Sequence, residues 1–267
     1  MKLIIENLSK SFGSNKVIRS IDFTFEQGKV YALLGRNGSG KTTLFNLISD
    51  ELKKDSGEVY LEKDGVKTPV DPEELFFMVA NPSLPNFLTG YEFIEFFIDV
   101  NKDKVENLKT VDEYMDWIGF EESEKRRLIQ GYSLGMKNKL QMLMFMILRP
   151  SIILMDEPLT SLDVIMQLQI KNLIREIHKD HIILFSTHIL QLATDLCDEI
   201  VILNEGKLSL IDHILLDDPQ FEQRIIDILA GQANHERVQS LEVLNSKSVE
   251  KAPEESRSGE TDQGGDA

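Results

Sequence analysis

The sequence is poor in the features that mark secreted and membrane-spanning proteins. Its 267 residues include a single cysteine, Cys197, which excludes an internal disulfide and a metal site built from cysteines. The longest apolar runs, such as 141–148, are far shorter than the roughly 20 residues that a membrane-spanning helix needs. Residues 1–10 lack the apolar core and the small-residue cleavage site of a secretory signal. We therefore expect a cytoplasmic protein.

Positive charge is outweighed by negative charge. The chain has 29 Lys and Arg residues against 45 Asp and Glu residues, which gives a formal net charge of -16. A charge of this sign repels phosphate backbones and anionic lipid headgroups, so nucleic acid is not expected as a partner. Hydrophobic residues make up 42% of the chain, a share that is typical of a globular protein with a buried core.

Two kinds of strand are predicted, with helices between them. Short β-type segments separated by tight turns occur at 3–6, 18–25 and 57–61. Compact apolar runs occur at 29–34, 152–155 and 182–185, and a last pair of strands is predicted at 200–203 and 207–210. A helix predicted at about 164–178 separates two of the apolar runs, which is the layout of a parallel βαβ unit. The pattern therefore predicts an α/β fold.

Helical spacing dominates the middle of the chain. Apolar residues recur at helical intervals in four segments, 91–100, 111–118, 122–129 and 137–148. After about residue 232 the composition shifts to Ser, Glu, Lys, Gly and Gln with few large apolar residues. Such a composition predicts a flexible acidic tail at 232–267.

A glycine-rich segment between a predicted strand and a predicted helix carries the strongest chemical signal. It matches the pattern G-x-x-x-x-G-K-[ST] with Gly35, Arg36, Asn37, Gly38, Ser39, Gly40, Lys41 and Thr42, followed by Thr43. The backbone N–H groups of such a loop surround phosphate oxygens, the lysine neutralises their charge, and the hydroxyl is a ligand for Mg²⁺. The alternative is an ordinary glycine-rich turn, which the strand and helix context disfavours. The segment therefore predicts nucleotide binding.

Two adjacent carboxylates, Asp156 and Glu157, end the apolar run at 152–155. Ligands of open α/β sheets bind at the carboxyl edge of the strands, so this pair is expected beside the phosphate loop. There, Asp156 could hold Mg²⁺ and Glu157 could polarise a water molecule. Alone, the segment could equally be a solvated strand end with surface acids. Its pairing with the loop favours the functional interpretation.

A histidine, His188, follows the apolar run at 182–185. At that position it could reach the same sheet edge and contact a γ-phosphate or orient water. A lone histidine after a strand is more often a packing residue or a neighbour of a helix cap. Only the other motifs favour a role at the site.

In this order, the motifs resemble those of the ATP-binding subunit of ABC transporters, and the resemblance extends from about residue 3 to 216. It implies a P-loop NTPase core of the RecA-like type, with an N-terminal antiparallel β subdomain and an inserted helical subdomain at about 86–149. All of these would belong to one ATP-binding domain at 1–231. The resemblance also implies that Phe12 stacks on adenine and that 161–163 form the D-loop.

The resemblance further implies a dimer in which each ATP lies between the phosphate loop of one subunit and the signature segment of the other. Lys41 and the opposing subunit's Ser133 would bind the γ-phosphate, and Gly135 would lie beside it. Thr42 and Asp156 would hold Mg²⁺. By the same resemblance, the carboxylate after Asp156 is the general base and the histidine at 188 is its orienting partner.

Two segments depart from the family pattern. The signature reads Tyr-Ser-Leu-Gly-Met at 132–136 rather than Leu-Ser-Gly-Gly-Gln, a variant that resembles exporter-type subunits. The glutamine expected to link Mg²⁺ and water to the membrane subunit is missing from 78–82. Asn81 is the candidate substitute as a metal ligand, with Ala80 an equally possible equivalent.

Together these features predict a subunit that hydrolyses ATP to energise transport, with export as the expected direction. ATP and Mg²⁺ are the expected cofactors. The expected partners are a separate integral-membrane subunit, which would hold the chain at the inner face of the cell membrane, and a second ATP-binding subunit. The alternative is a soluble ABC-type ATPase that serves an assembly machine, such as iron-sulfur scaffold proteins. Most phenylalanines at 76–97 are expected in the core, Phe93, Phe96 and Phe97 among them, and those near 86–91 could contact the membrane partner.

Overall fold

The computed structural model describes residues 1–105, 108–159 and 164–211, together with Gln223 and Ile225. The chain divides into two compact units, 1–222 and 223–267, and every strand and helix named below belongs to the first. In the second unit, Gln223 and Ile225 are helical and Ile225 is buried. The D-loop predicted at 161–163 and the tail predicted at 232–267 lie outside the described residues.

Strands dominate residues 1–78, four α-helices follow in succession, and strands and helices alternate only over residues 152–204. The strands are β1 Lys2–Phe12, β2 Asn15–Glu26, β3 Val30–Leu34, β4 Ser56–Lys63, β5 Val66–Pro69, β6 Leu75–Met78, β7 Ile152–Asp156, β8 Ile182–Thr187, β9 Glu199–Asn204 and β10 Lys207–Ile211. The α-helices are α1 Lys41–Ile48, α2 Gly90–Asn101, α3 Val111–Trp117, α4 Glu122–Lys125, α5 Leu134–Leu148, α6 Val164–Ile177 and α7 Leu190–Leu196. Short 3-10 turns cover Pro72–Glu74, Lys102–Lys104, Ile129–Gly131 and His178–Asp180.

The described strands form two sheets. The first is antiparallel, with the order β2-β1-β4-β5. The second has the order β10-β9-β3-β8-β7-β6, and all its pairs are parallel except β9 with β10. Its strands β3, β7 and β8 are buried along their whole length, as expected for parallel strands covered on both faces. The predicted α/β fold with an N-terminal antiparallel sheet is therefore confirmed.

One core joins the two sheets. Buried side chains of β1, β2 and β4 pack with those of α1 and of strands β3, β7, β8 and β9 in a single apolar cluster. Strand β6 packs against a helix on each face of the parallel sheet. The ring of Phe77 lies edge-on to that of Phe45 in α1 with the centroids 5.8 Å apart, and the ring centroid of Phe76 lies 6.2 Å from that of Phe145 in α5. These contacts fix α1 and α5 relative to the carboxyl edge of the parallel sheet.

Several sequence-based assignments differ from the structure. Strands β5 and β6 and helix α7 were not predicted, because each has only four to seven residues and shows too few turns of a pattern. The helix predicted at 122–129 is wrong beyond Lys125, since Leu128 is extended and pairs with Thr89 in an isolated bridge. Helix α5 begins at Leu134 rather than 137, because Ser133 caps it by accepting a hydrogen bond from the N–H of Met136.

The phenylalanines of the helical region divide between core and surface. Phe93 is buried, whereas Phe96 is 61% exposed, so the expectation that Phe96 packs in the core is wrong. Helix α2 turns this side chain away from the face that carries Phe93 and Ile94. Phe87, within the segment 86–91, is 78% exposed.

Candidate active site

The phosphate loop connects the end of β3 to the start of α1. Its last residue, Gly40, has φ 106°, a conformation that L residues rarely adopt, and no side chain among the described residues caps the helix. A Cβ at position 40 would lie 2.8 Å from Cγ1 of Val17, so the loop also passes too close to β2 for a larger residue. The first N–H groups of α1 are therefore left for an anion, which the helix dipole favours.

The side chain of Lys41 is buried and contacts the backbone at the start of the phosphate loop. The residue is 6% exposed, and its Nζ donates hydrogen bonds to the carbonyl oxygens of Gly35 at 2.8 Å and Arg36 at 3.4 Å. Burial lowers the pKa of Lys41, while the nearby charges of Glu157 and Asp156 oppose that shift. The distance from Nζ to Oε1 of Glu157 is 4.0 Å. The ammonium group thus lies between the loop and the acidic pair.

The remaining loop residues surround this lysine. Gly35 is buried, Ser39 and Gly40 are partly buried, and Arg36, Asn37 and Gly38 are exposed. The Oγ atom of Ser39 is buried and has no hydrogen-bond partner within the described ranges. A Cβ on Gly35 would lie 2.4 Å from that oxygen, so Ser39 points across the loop. An unpaired buried hydroxyl is costly unless a ligand completes it, and a phosphate oxygen would accept its hydrogen bond.

Asp156 accepts a hydrogen bond on each carboxylate oxygen. Thr42 Oγ1 donates to Oδ2 at 2.6 Å, and Ser186 Oγ donates to Oδ1. Asp156 is 4% exposed and Ser186 is fully buried. Residue 186 pairs with residue 156 in the register of β7 and β8. The two hydroxyls therefore hold the carboxylate in one orientation at the strand end.

Glu157, the next residue, has a left-handed backbone with φ 51°. Non-glycine residues adopt this region at a cost, and such strain clusters at functional sites. The Glu157 N–H donates to Ser186 Oγ at 3.0 Å, and both carboxylate oxygens lie 2.9 Å from Nδ1 of His188. The side chain of Glu157 is 19% exposed, and that of His188 is 47% exposed. The sharp turn after β7 thus directs the carboxylate toward both Lys41 and His188.

The other predicted site residues lie in separate elements. Phe12 ends β1 and is 50% exposed, with Nζ of Lys10 5.4 Å from its ring centroid. Ser133 and Gly135 lie at the start of α5. Asn81 is exposed and follows β6, whose last residue Met78 pairs with Met155. The Asn81 segment therefore leaves the sheet at the edge where Asp156 lies, whereas Phe12, Ser133 and Gly135 are not part of that cluster.

Two residues near the cluster were given no role from the sequence. Ser186 joins the acidic pair, as described above. Gln141 of α5 is 4% exposed, and its amide forms hydrogen bonds with the N–H and the C=O of Val79. A lone amide among the apolar residues of 140–148 was the only signal for Gln141, and a hydroxyl at a strand end was the only one for Ser186.

The oxygen-rich cluster fits a hard divalent cation. Among the described residues, no group of three or more His, Cys, Asp and Glu side chains could hold a metal alone. Mg²⁺ in nucleotide sites commonly uses one or two protein oxygens and completes its shell with phosphates and water. Thr42 Oγ1 and Asp156 Oδ2, which lie 2.6 Å apart, are oxygen atoms that could serve as these metal ligands.

Comparison with known proteins identifies the family. The family described as ABC transporter matches residues 18–160, a span that contains the phosphate loop and the acidic pair. The chain belongs to the ABC transporter family. It is 30% identical over 230 residues to the uncharacterized ABC transporter ATP-binding protein YdbJ of Bacillus subtilis (strain 168), covering 85% of this chain and 74% of that protein. It is also 30% identical over 210 residues to YxlF of the same organism, covering 78% and 69%.

Solved structures of ABC proteins share the fold. A structure described as the ATP binding subunit of an ABC transporter has a TM-score of 0.72 at 22% identity, covering 85% of this chain and 99% of that chain. The ATP-binding cassette MJ0796, a dimer described in a post-hydrolysis state with ADP and Pi, has a TM-score of 0.65 at 22% identity, covering 79% and 99%. The predicted ABC-type ATPase that binds ATP is therefore confirmed by its family. Within the described ranges, every helix is too short or too polar to traverse a bilayer.

Proposed function

We propose that this ABC ATPase energises export through a separate integral-membrane partner. The observation that carries its central part, ATP hydrolysis, is the convergence of Lys41, Thr42, Asp156, Glu157 and His188 at one sheet edge. That set supplies phosphate binding, a place for Mg²⁺ and a base beside the transferred group. The ATP-binding domain would comprise 1–231, with its helical part at about 86–149.

The phosphate loop binds the nucleotide. Backbone N–H groups of the loop and of α1 donate to the β- and γ-phosphates, with Lys41 between those oxygens and Ser39 Oγ as a further donor. Arg36, Asn37 and Thr43 belong to the same binding segment. The half-exposed ring of Phe12 is available to stack on adenine.

The acidic pair carries out hydrolysis. Glu157 accepts a proton from a water molecule whose oxygen forms a bond to the γ-phosphorus. The bond from that phosphorus to the oxygen it shares with the β-phosphate breaks, so the products are ADP and inorganic phosphate. His188, in contact with both oxygens of Glu157, orients the base. When bound, Mg²⁺ would be held by Thr42 and Asp156, with Asn81 as a further ligand, and would neutralise phosphate charge.

Two subunits complete each site in this proposal. Ser133 is exposed at the start of α5, where its hydroxyl and the N–H groups near Gly135 are accessible to the ATP of a second subunit. The relative MJ0796 is described as a dimer, which supports this arrangement. The exposed ring of Phe87 is a candidate contact for the membrane partner, which would hold the chain at the inner face of the membrane.

Affinity purification from detergent-solubilised membranes, combined with ATPase assays of wild type and Glu157→Gln, tests the proposal. We expect a stoichiometric integral-membrane partner and hydrolysis that depends on Glu157. Hydrolysis that depends on Glu157 but co-purifies only with soluble partners would instead support an assembly ATPase. Uptake of cargo into vesicles with this subunit outside would support export, whereas ATP-driven loss of preloaded cargo would contradict that direction.

A further inference from the structure

Gln141 occupies an unusual place for an amide. It lies about two turns after Ser133 on the 15-residue helix α5 and is 4% exposed among apolar neighbours. A buried side-chain amide must find hydrogen-bond partners, because an unpaired one costs about 1–3 kcal/mol. The partners that Gln141 finds belong to another element, the chain segment that leaves β6.

The amide of Gln141 acts toward Val79 as a neighbouring strand would. The N–H of Val79 donates to Oε1 at 3.1 Å, and Nε2 donates to the carbonyl oxygen of Val79 at 3.0 Å. Asn138, one turn earlier on α5, accepts a second bond from Nε2 at 3.2 Å. Strand β6 is the edge of its sheet among the described strands, and Gln141 pairs the backbone of the residue that directly follows its end.

The location of this contact connects it to the active site. Met78 pairs with Met155, so Val79 is level with Asp156 and Asn81 lies just beyond. Asn81 is exposed while the next residue, Pro82, is buried. The course of the chain from Val79 to Pro82 therefore determines where the Asn81 amide lies relative to the acidic pair.

We propose that Gln141 is a positioning residue that holds Asn81 at the acidic edge and ties it to the helix that begins at Ser133. The catalytic importance of Asn81 rests on the function proposed above. Because α5 is one continuous helix, a displacement at its Ser133 end is carried to Val79 through two hydrogen bonds. The Asn81 segment, which would serve the ATP site of its own subunit, is thereby linked to Ser133, which would serve the ATP site of the second subunit.

Two variants separate the hydrogen bonds from the packing. Gln141→Met keeps an unbranched side chain of similar volume but removes both bonds to Val79. Gln141→Glu accepts from the Val79 N–H when ionised, and it recovers the donor to the Val79 carbonyl only when protonated. Burial raises the pKa of such a carboxyl, so lowering the pH should restore the native pairing.

The first measurement is amide hydrogen exchange of the full chain without nucleotide. In Gln141→Met we expect exchange at Val79 to Asn81 to accelerate about tenfold, with the phosphate loop unchanged. Wild-type exchange across this segment would overturn the proposal. This arm does not depend on catalysis, so it decides the positioning even if wild type fails to hydrolyse ATP and the proposed function is wrong.

The second measurement is the ATPase reaction. We expect kcat of Gln141→Met to fall by about tenfold with KM for ATP within about twofold, because the Asn81 segment leaves the sheet at the edge where Asp156 lies and would affect the chemical step more than nucleotide binding. The activity of Gln141→Glu relative to wild type should rise between about pH 8 and about pH 6, while that of Gln141→Met stays constant. If Gln141→Met does not fold, the pH arm decides: a ratio for Gln141→Glu that is independent of pH overturns the proposal.

Discussion

Thr42 and Asp156 are joined by a 2.6 Å hydrogen bond although they lie 114 positions apart in the sequence. The bond connects the first turn of α1, whose conformation Gly40 allows, to the end of β7. Both oxygens are ligands of the kind that Mg²⁺ prefers, and their closeness depends on the packing of α1 against the parallel sheet. The site is thus created by the core beneath it.

Replacement of Glu157 by Gln should separate binding from hydrolysis. The amide keeps the shape of the side chain but cannot accept a proton, so we expect turnover to fall by about 10²- to 10⁴-fold while binding of a fluorescent ATP analogue persists. Glu205→Gln is the matched control, because Glu205 is exposed and also has a positive φ of 48°. Equal turnover in Glu157→Gln and wild type would exclude Glu157 as the base.

The left-handed backbone of Glu157 predicts an inverted effect of glycine on stability. At φ 51° an alanine retains the steric cost of the left-handed region, whereas glycine avoids it. We expect the free energy of unfolding of Glu157→Gly to exceed that of Glu157→Ala by about 1 kcal/mol in urea titrations. At the exposed helical residue Glu95 the order should reverse by about 1 kcal/mol. If the alanine variant is more stable than the glycine variant at both positions, residue 157 carries no strain.

The parts of the site that the sequence predicted are those with a local pattern. The phosphate loop lies between a buried strand and a helix, and the pair Asp156 and Glu157 lies at the end of another buried strand. The flanking residues therefore predicted the position of each motif. Ser186 and Gln141 act through contacts with residues far away in sequence, which no periodicity describes.

Exposure was harder to predict than structure type. Helical spacing placed Phe96 on α2 correctly, yet spacing identifies a face of a helix and not the element that covers it, and Phe96 is 61% exposed. Strand β6 has four residues and offers only two positions on each face. Its assignment depends on pairing with β7, which is a tertiary contact.

Ser186→Ala should weaken both the fold and the apparent affinity for Mg²⁺. The substitution leaves Oδ1 of Asp156 without its donor and the Glu157 N–H without its acceptor, at a fully buried position. We expect a loss of about 1–3 kcal/mol in the free energy of unfolding and a higher Mg²⁺ concentration for half-maximal ATPase activity. Ser209→Ala on β10, which is exposed, should change stability by less than about 0.5 kcal/mol. An unchanged Mg²⁺ requirement in Ser186→Ala would mean that the hydroxyl does not orient Asp156.

Two glycines of the phosphate loop should respond differently to alanine. Gly38 has φ 81° and a Cβ there would meet nothing within 4 Å, whereas at Gly40, with φ 106°, the Cβ would lie 2.8 Å from Cγ1 of Val17. Both substitutions carry a backbone cost of about 1–2 kcal/mol, and Gly40→Ala adds a steric cost of about 1–3 kcal/mol. We therefore expect Gly40→Ala to be the less stable variant in urea unfolding.

A double-mutant cycle isolates the steric part of that cost. Val17→Ala removes the methyl group that a Cβ at position 40 would meet, so it should rescue Gly40→Ala by about 1 kcal/mol or more while leaving Gly38→Ala unimproved. Additive effects of Val17→Ala and Gly40→Ala would place the whole penalty in the backbone conformation. Rescue by Val17→Ala would instead show that the closeness of β2 adds to the requirement for glycine at position 40, beyond the requirement set by its φ of 106°.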